Sequence, residues 1–200
     1  MELKDKVILI TGAGKGAGRA LAEALAEQGA YIAANDISPI NVDEVVLKIN
    51  ARGGKASSYI EDVAKKVGVQ ALVKAVEDEF GGIDILINHA AVKPHMSLLD
   101  MDEWDWHRTL DVNLTGAFLM VQSVGRIMRA KGKGEILNLV TGAGRGAEKD
   151  AGAYLSSKAG LVMLSHQADQ ELSPYGIRVF AIENSENVVK EVLSILEATK

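Results

Sequence analysis

Val7-Ile8-Leu9-Ile10-Thr11-Gly12-Ala13-Gly14-Lys15-Gly16-Ala17-Gly18 joins an apolar run of strand length to a glycine-rich turn. The turn opens into Arg19-Ala20-Leu21-Ala22-Glu23-Ala24-Leu25-Ala26, strong helix formers with apolar residues at helical spacing. A strand, a glycine turn and a helix start together make a phosphate site. The glycines let backbone pass close to a pyrophosphate, while the first helical turn offers free N–H groups and the positive end of its dipole. Two spacings coexist. Gly12, Gly14 and Ala17 fit the dinucleotide fingerprint in its looser form, with Ala last; Gly12, Gly16 and Gly18 fit TGxxxGxG.

Glycine runs also mark ordinary surface turns, so the next strand decides. Ala30-Tyr31-Ile32-Ala33-Ala34-Asn35 ends at Asp36. An acid about 20 residues beyond the glycine turn is placed to accept hydrogen bonds from the adenosine ribose hydroxyls of a dinucleotide.

The 200 residues predict one domain with a substantial core. Hydrophobic residues at 48% and charged residues at 24% describe a globular chain rather than a disordered one. The net charge of −5, with no basic block, argues against nucleic acid or an anionic membrane surface as a partner. The absence of cysteine excludes disulfides and thiolate metal sites, and His95, His107 and His166 lack metal spacing with Asp or Glu, so no metal is expected. Met1-Glu2-Leu3-Lys4-Asp5-Lys6 is too polar for a signal peptide and no apolar run reaches membrane-spanning length, so the expectation is a soluble cytoplasmic protein.

Strand-length apolar runs alternate with helical patterns through the chain. That pattern predicts a doubly wound, Rossmann-type parallel sheet in a three-layer α/β/α arrangement, with about six strands. Helices are predicted over residues 41–51, 65–80, 102–130, 152–172 and 186–198, and strands over 55–60, 83–87, 134–140 and 177–182. Gly116 inside the long 102–130 pattern costs about 1 kcal/mol relative to Ala, which implies close packing there. A second glycine-rich loop, Thr141-Gly142-Ala143-Gly144-Arg145-Gly146, follows the fifth strand. Trp104 and Trp106 read as packing residues and His89 as a loop residue.

Tyr154-Leu155-Ser156-Ser157-Lys158 sets Tyr and Lys four apart on one helix face. An unperturbed Tyr titrates near ~10 and is a poor acid or base at neutral pH. A nearby ammonium, with the positive nicotinamide of an oxidised cofactor, favours the phenolate and lowers that pKa. Taken alone, this spacing also describes a surface pair.

The chain resembles the short-chain dehydrogenase/reductase family over nearly all of residues 4–182. The resemblance rests on Thr11-Gly12 with Gly16 and Gly18, Asp62-Val63, Asn88 with Ala90, Asn113-Leu114-Thr115-Gly116, Tyr154 with Lys158, and Tyr175-Gly176-Ile177-Arg178-Val179. It implies that Tyr154 is the general acid/base, and that Lys158 lowers the tyrosine pKa and holds the nicotinamide ribose. Asn113 would position a relay water, and Thr141 would bond the substrate oxygen where the family usually has Ser. The implied cofactor-binding set is Gly12, Lys15, Gly16, Ala17, Gly18, Asp36, Asp62, Val63, Asn88 and Ala90, with Tyr154 and Lys158. Asp62 and Val63 would contact adenine, and Asn88 and Ala90 would line the cofactor near its ribose. Asn113 could equally bond a neighbouring backbone carbonyl, and Thr141 could be an ordinary loop hydroxyl.

Asp36 favours NAD over NADP because a carboxylate repels a 2′-phosphate, although Lys15 stands where NADP-using relatives often carry a basic residue. Relatives continue past the sixth strand with Pro-Gly, a substrate lid and a seventh strand. Here Glu183-Asn184-Ser185 leads straight into the last helix, so lid and seventh strand read as reduced or absent. The implied activity is NAD(H)-dependent interconversion of an alcohol and a carbonyl on a small substrate, and the family members resembled include 3-oxoacyl carrier-protein reductases and sugar or polyol dehydrogenases. A nucleotide-binding sensor or partner subunit without useful turnover is the alternative. A homodimer or homotetramer through helices 102–130 and 152–172 is the implied assembly.

Overall fold

The computed structural model describes residues 3–141 and 146–198. Gly142, Ala143, Gly144 and Arg145 of the second glycine-rich loop lie outside the described residues. Six strands form one parallel sheet: β1 (Val7–Thr11), β2 (Tyr31–Asn35), β3 (Lys55–Tyr59), β4 (Ile85–Asn88), β5 (Gly134–Val140) and β6 (Ile177–Glu183). Their spatial order is β3-β2-β1-β4-β5-β6, so the direction of travel reverses between β1 and β4. In register, Leu9 of β1 faces Ala33 of β2 on one side and Leu86 of β4 on the other.

The central strands β1 and β4 read as nearly unbroken apolar runs because both of their faces are covered. Ile8 and Ile10 enter a core with Leu21 and Leu25 of α1 (Gly16–Glu27), Val42 and Val45 of α2 (Pro39–Ala51), and Val188, Val192 and Leu196 of α7 (Val188–Ala198). Val7 and Leu9 point the other way, to Leu72 and Val76 of α3 (Lys66–Phe80), Met120 and Val124 of α5 (Ala117–Lys131) and Ala168 of α6 (Gly152–Leu172). One strand thus feeds two cores through its period of two.

The single long helix predicted over 102–130 is broken. α4 (Glu103–Leu110), started by an Asp102 cap whose side chain accepts from the Asp105 N–H, runs into a π-helical turn at Asp111–Gly116 before α5 begins. Side-chain bonding accounts for the wider turn. Asn113 Oδ1 accepts from the Val92 N–H at 2.8 Å, and its amide donates to the Val92 carbonyl at 2.9 Å and to Ser157 Oγ at 3.0 Å. π-helical bulges of this kind commonly occur at functional sites. Gly116 closes the turn where a Cβ would lie 3.0 Å from the Val63 carbonyl, which is the close packing its sequence position implied. Trp104 departs from its reading as a packing residue: it stands 70% exposed.

Beyond β6, only residues 184–187 precede α7. One N–H of the β6 edge, that of Val179, donates to Asp169 Oδ1 at 2.8 Å, so a side chain takes up a main-chain donor there.

Leu86 is fully buried in a central strand. Leu86→Ala is expected to lower unfolding stability by about 2–5 kcal/mol, read from the midpoint of urea denaturation at unchanged m-value.

Candidate active site

The glycine turn lies where β1, the start of α1 and the end of β4 converge. A Cβ on Gly12 would sit 2.8 Å from the Ala90 backbone, and one on Gly18 would sit 2.3 Å from the Gly12 carbonyl. Gly12 and Gly16 have φ of +67° and +55°, the left-handed region that glycine enters without cost. Thr11 Oγ1 accepts from the N–H groups of His89 and Ala90, at 3.1 and 3.2 Å, tying the turn to the end of β4. Among the described residues no side chain caps α1, so its first N–H groups are left for an anion.

A cleft of about 330 Å³ opens beside this turn. Of the sequence-predicted residues, Gly12, Lys15, Asp36, Asp62, Val63 and Ala90 line it. Asp36 is fixed by two main-chain donors, Gly14 to Oδ2 and Ser38 to Oδ1, both at 3.0 Å. Asp62 is already engaged: its carboxylate accepts from the Ala64 N–H and pairs with Arg108 at 3.1 Å. Asn88 does not line the cleft. It is buried, its amide donating to Asn138 Oδ1 at 2.8 Å, and its own Oδ1 faces inward without a hydrogen-bond partner among the described residues.

Among the cleft residues to which sequence reasoning gave no role are Arg108 and His89. Arg108 carries no motif of its own, and only its spatial meeting with Asp62 marks it. His89, read as a loop residue, has Nδ1 2.9 Å from the Gly12 carbonyl. A carbonyl only accepts, so Nδ1 carries the proton. Burial pushes the imidazole pKa below its ordinary value, against the opposing effect of the Gly12 bond, with Lys158 adding to the lowering. The chain therefore has room for this ring only because Gly18 lacks a Cβ, which would approach His89 Nδ1 to 2.5 Å.

Past the end of β5, the Thr141 and Tyr154 hydroxyls are hydrogen bonded at 2.5 Å. Tyr154 and Lys158 lie one turn apart on α6, with the ammonium 5.9 Å from the tyrosine ring centroid. Lys158 is buried and donates to the Leu139 carbonyl at 2.8 Å. With Thr11, Asn88 and Asn113 it surrounds a small internal void of about 10 Å³. Asn113 reaches the site through structure: its side chain holds Val92 and Ser157 while its backbone forms the π-helical turn. Above Tyr154, Lys93 Nζ lies 5.1 Å from the ring centroid and pairs with Glu148 at 2.7 Å. That pairing holds the Glu148 carboxyl below its usual range, and His95 adds slightly to the effect.

With this geometry in hand, residues 6–186 match the family described as short chain dehydrogenase. The chain belongs to the short-chain dehydrogenase family. It is 39% identical over 180 residues to D-threitol dehydrogenase of Mycolicibacterium smegmatis, covering 90% of this chain and 69% of that one. The solved structure of an NAD+-bound xylitol dehydrogenase superposes with TM-score 0.87 at 35% identity, covering 92% of this chain and 71% of that one. A metagenomic short-chain oxidoreductase in complex with NADP superposes with TM-score 0.92 at 29% identity, covering 100% of this chain and 93% of that one. The family is one of oxidoreductases that bind nicotinamide dinucleotides, and both forms of the cofactor occur among these neighbours. Among the described residues no helix is long and apolar enough to cross a membrane, and no cluster of His, Asp or Glu could hold a metal ion.

Burial lowers the Lys158 pKa from 10.5 to about 8. Between these values the unfolded chain binds more protons than the native state, so the contribution of Lys158 to stability rises with pH across that window and is least favourable below it. Urea denaturation of the nucleotide-free protein from pH 7.5 to 10.5 should show this rise, and Lys158→Met should flatten it relative to the parent protein.

Proposed function

We propose that the chain is an NAD(H)-dependent oxidoreductase that interconverts an alcohol and a carbonyl on a small substrate. The observation that carries this reading is the Tyr154–Thr141 hydroxyl pair, 2.5 Å apart, with a buried ammonium 5.9 Å from the same ring centroid, in a chain that also carries a cleft beside its glycine turn. The residues fit a dinucleotide: uncapped N–H groups at α1, glycines without room for a Cβ, and a carboxylate oriented by two main-chain donors. Gly12, Gly16, Ala17 and Gly18 would hold the pyrophosphate, with Lys15 at its side. Asp36 would take the adenosine ribose, Asp62 and Val63 the adenine, and Ala90, backed by Asn88, the second ribose with Lys158.

A bound nicotinamide supplies the hydride acceptor or donor. In the oxidative direction Tyr154 Oη takes the proton of the substrate O–H as the carbon loses hydride and the C–O bond becomes C=O. Thr141 bonds the substrate oxygen and, through the stiffness of its β-branched side chain, keeps that oxygen in line with Tyr154. Lys158 favours the ionised phenol by its charge. Asn113 orients this end of the site by holding Val92 and Ser157 in place. In the reductive direction the same Tyr154 returns the proton.

Asp36 supports NAD over NADP, since an ionised carboxylate opposes a 2′-phosphate and the single Lys15 offsets it only in part. A groove between α5 and α6, lined by Phe118, Val121, Gly125 and Leu172, supports self-association through these helices as a homodimer or homotetramer. One observation favours the alternative, a nucleotide-binding sensor or partner subunit without turnover: residues 184–187 alone join β6 to α7, leaving little chain to close over a substrate.

Following NADH absorbance with a panel of polyols, ketones and 3-oxoacyl esters tests the enzyme reading. Tyr154→Phe should lower kcat/KM by about 10²–10⁴-fold while NADH binding by fluorescence titration is retained; tight NADH binding with no turnover on any of the panel supports the sensor instead. Asp36→Asn should shift the ratio of NADPH to NADH affinity toward NADPH by about tenfold, read from the same titration.

A further inference from the structure

Two ammonium groups stand near the Tyr154 ring. Lys158 Nζ lies 5.9 Å from its centroid, and Lys93 Nζ lies closer, at 5.1 Å. The phenol oxygen is one bond beyond the ring. It therefore falls within a Debye length of the Lys93 ammonium, about 8 Å at physiological salt, however the ring is turned. Lys158 shares α6 with the tyrosine, whereas Lys93 arrives on the segment after β4. Its place there is fixed. Both polar atoms of the Asn113 side chain bond the main chain of Val92, at 2.8 and 2.9 Å. The Met96 N–H donates to the Asp150 carbonyl at 3.0 Å, which joins this segment to the one preceding α6. Across that join the Lys93 ammonium donates to both carboxylate oxygens of Glu148, at 2.7 and 3.0 Å.

The charged and titratable groups around the phenol are Lys158 from α6, Lys93 from the segment after β4 and Glu148 from the segment before α6, with His95 acting on Glu148 and His89 within electrostatic reach of Lys158. The uncharged Thr141 hydroxyl completes the set. The two lysines are not equivalent. Lys158 is buried and desolvation brings its pKa down to about 8, so its charge fades in the alkaline range where a phenol ionises. The Lys93 side chain is 32% exposed, and a hydrated ammonium holds its proton to about pH 10. Glu148 offsets part of that charge, and the same pairing keeps its carboxyl below the usual range.

We propose that Lys93 is a second cation acting on Tyr154, and that Glu148 sets how much of its charge the phenol feels. The proposal rests on the acid/base role given to Tyr154 above. Neither residue touches the reacting atoms. Both are positioning residues that act through the phenol, Lys93 favouring its ionised form and Glu148 opposing it. At a given pH the balance between them decides how much of Tyr154 is ready to take the substrate proton.

The test is one of opposite signs. Lys93→Met removes the cation and leaves Glu148 unpaired, so the pH midpoint for ionising Tyr154 should rise. Glu148→Gln frees the ammonium, so the midpoint should fall. Each shift should be about half a pH unit, as for unit charges roughly 6 Å apart in a water-like dielectric. Lys93→Arg keeps the charge and should keep the wild-type midpoint, while the double variant should fall between the two single ones. In molar salt, where the Debye length is about 3 Å, the shifts should shrink. The midpoint is read from the tyrosinate absorbance of nucleotide-free protein, with a Tyr154→Phe counterpart of each variant subtracting the other tyrosines. It is read again from the pH dependence of kcat/KM with NAD+ and a polyol, and thermal melting confirms that the variants are folded. Shifts of the same sign in Lys93→Met and Glu148→Gln, or a missing shift in either, overturn the proposal, because a structural disturbance does not reverse sign across one ion pair. Opposite shifts in absorbance without turnover of any alcohol uphold the electrostatic assignment and overturn the oxidoreductase reading alone.

Discussion

Everything in this molecule depends on how closely three pieces of backbone approach one another at the end of β1. Gly12 touches Ala90, Gly18 touches the Gly12 carbonyl, and the Thr11 hydroxyl bridges two N–H groups of the segment after β4. A side chain at either glycine would push α1 away from the sheet. With α1 in place, its free N–H groups face the crevice at the point where the strand order reverses, which is where open parallel sheets bind ligands. The same approach leaves a space that His89 fills, with a proton on the nitrogen facing Gly12 and its pKa lowered by burial.

A second layer of constraint positions the chemistry. Lys158 and Tyr154 share a face of α6 simply because they are four residues apart. The position of that face relative to the cleft is set elsewhere, by β5 ending at Thr141 and by the Leu139 carbonyl that takes the Lys158 ammonium. Asn113 then locks α6, through Ser157, to the segment after β4, through Val92. Four elements that are remote in sequence meet within a single network of buried polar groups. Such a network is costly when incomplete and rigid when satisfied, which suits the catalytic role proposed for Tyr154 and Thr141.

The energetic compromise is visible at Lys158. Its ammonium is buried against one carbonyl, and desolvation lowers its pKa to about 8. A fold selected for stability alone gains nothing from a buried charge there. In the proposed function that charge stands near the Tyr154 ring, where it would serve both the phenol and a bound nucleotide.

The local pattern determined much of this. Strand-length apolar runs, the glycine spacing, Asp36 at its distance from the turn, and Tyr154 with Lys158 are all short-range signals, and they were enough for the six parallel strands and most of the helices between them, while the motif residues Gly12, Lys15, Asp36, Asp62, Val63 and Ala90 supply part of the cleft lining. Single residues escaped wherever contact partners are distant in sequence. The break in the 102–130 helix comes from Asn113 bonding Val92, 21 residues away. Arg108 matters only through Asp62, 46 residues away, and Asn88, which looked like a cleft residue, turns inward because Asn138 on the neighbouring strand takes its amide. Lys93 and Glu148 carry no pattern at all until two loops are laid against each other. Sequence by itself fixes what depends on backbone conformation and on neighbours within a helical turn; side-chain direction, burial and pairing across 20 to 80 residues are decided only when the sheet brings those segments together, because long-range contacts exist only in the packed state.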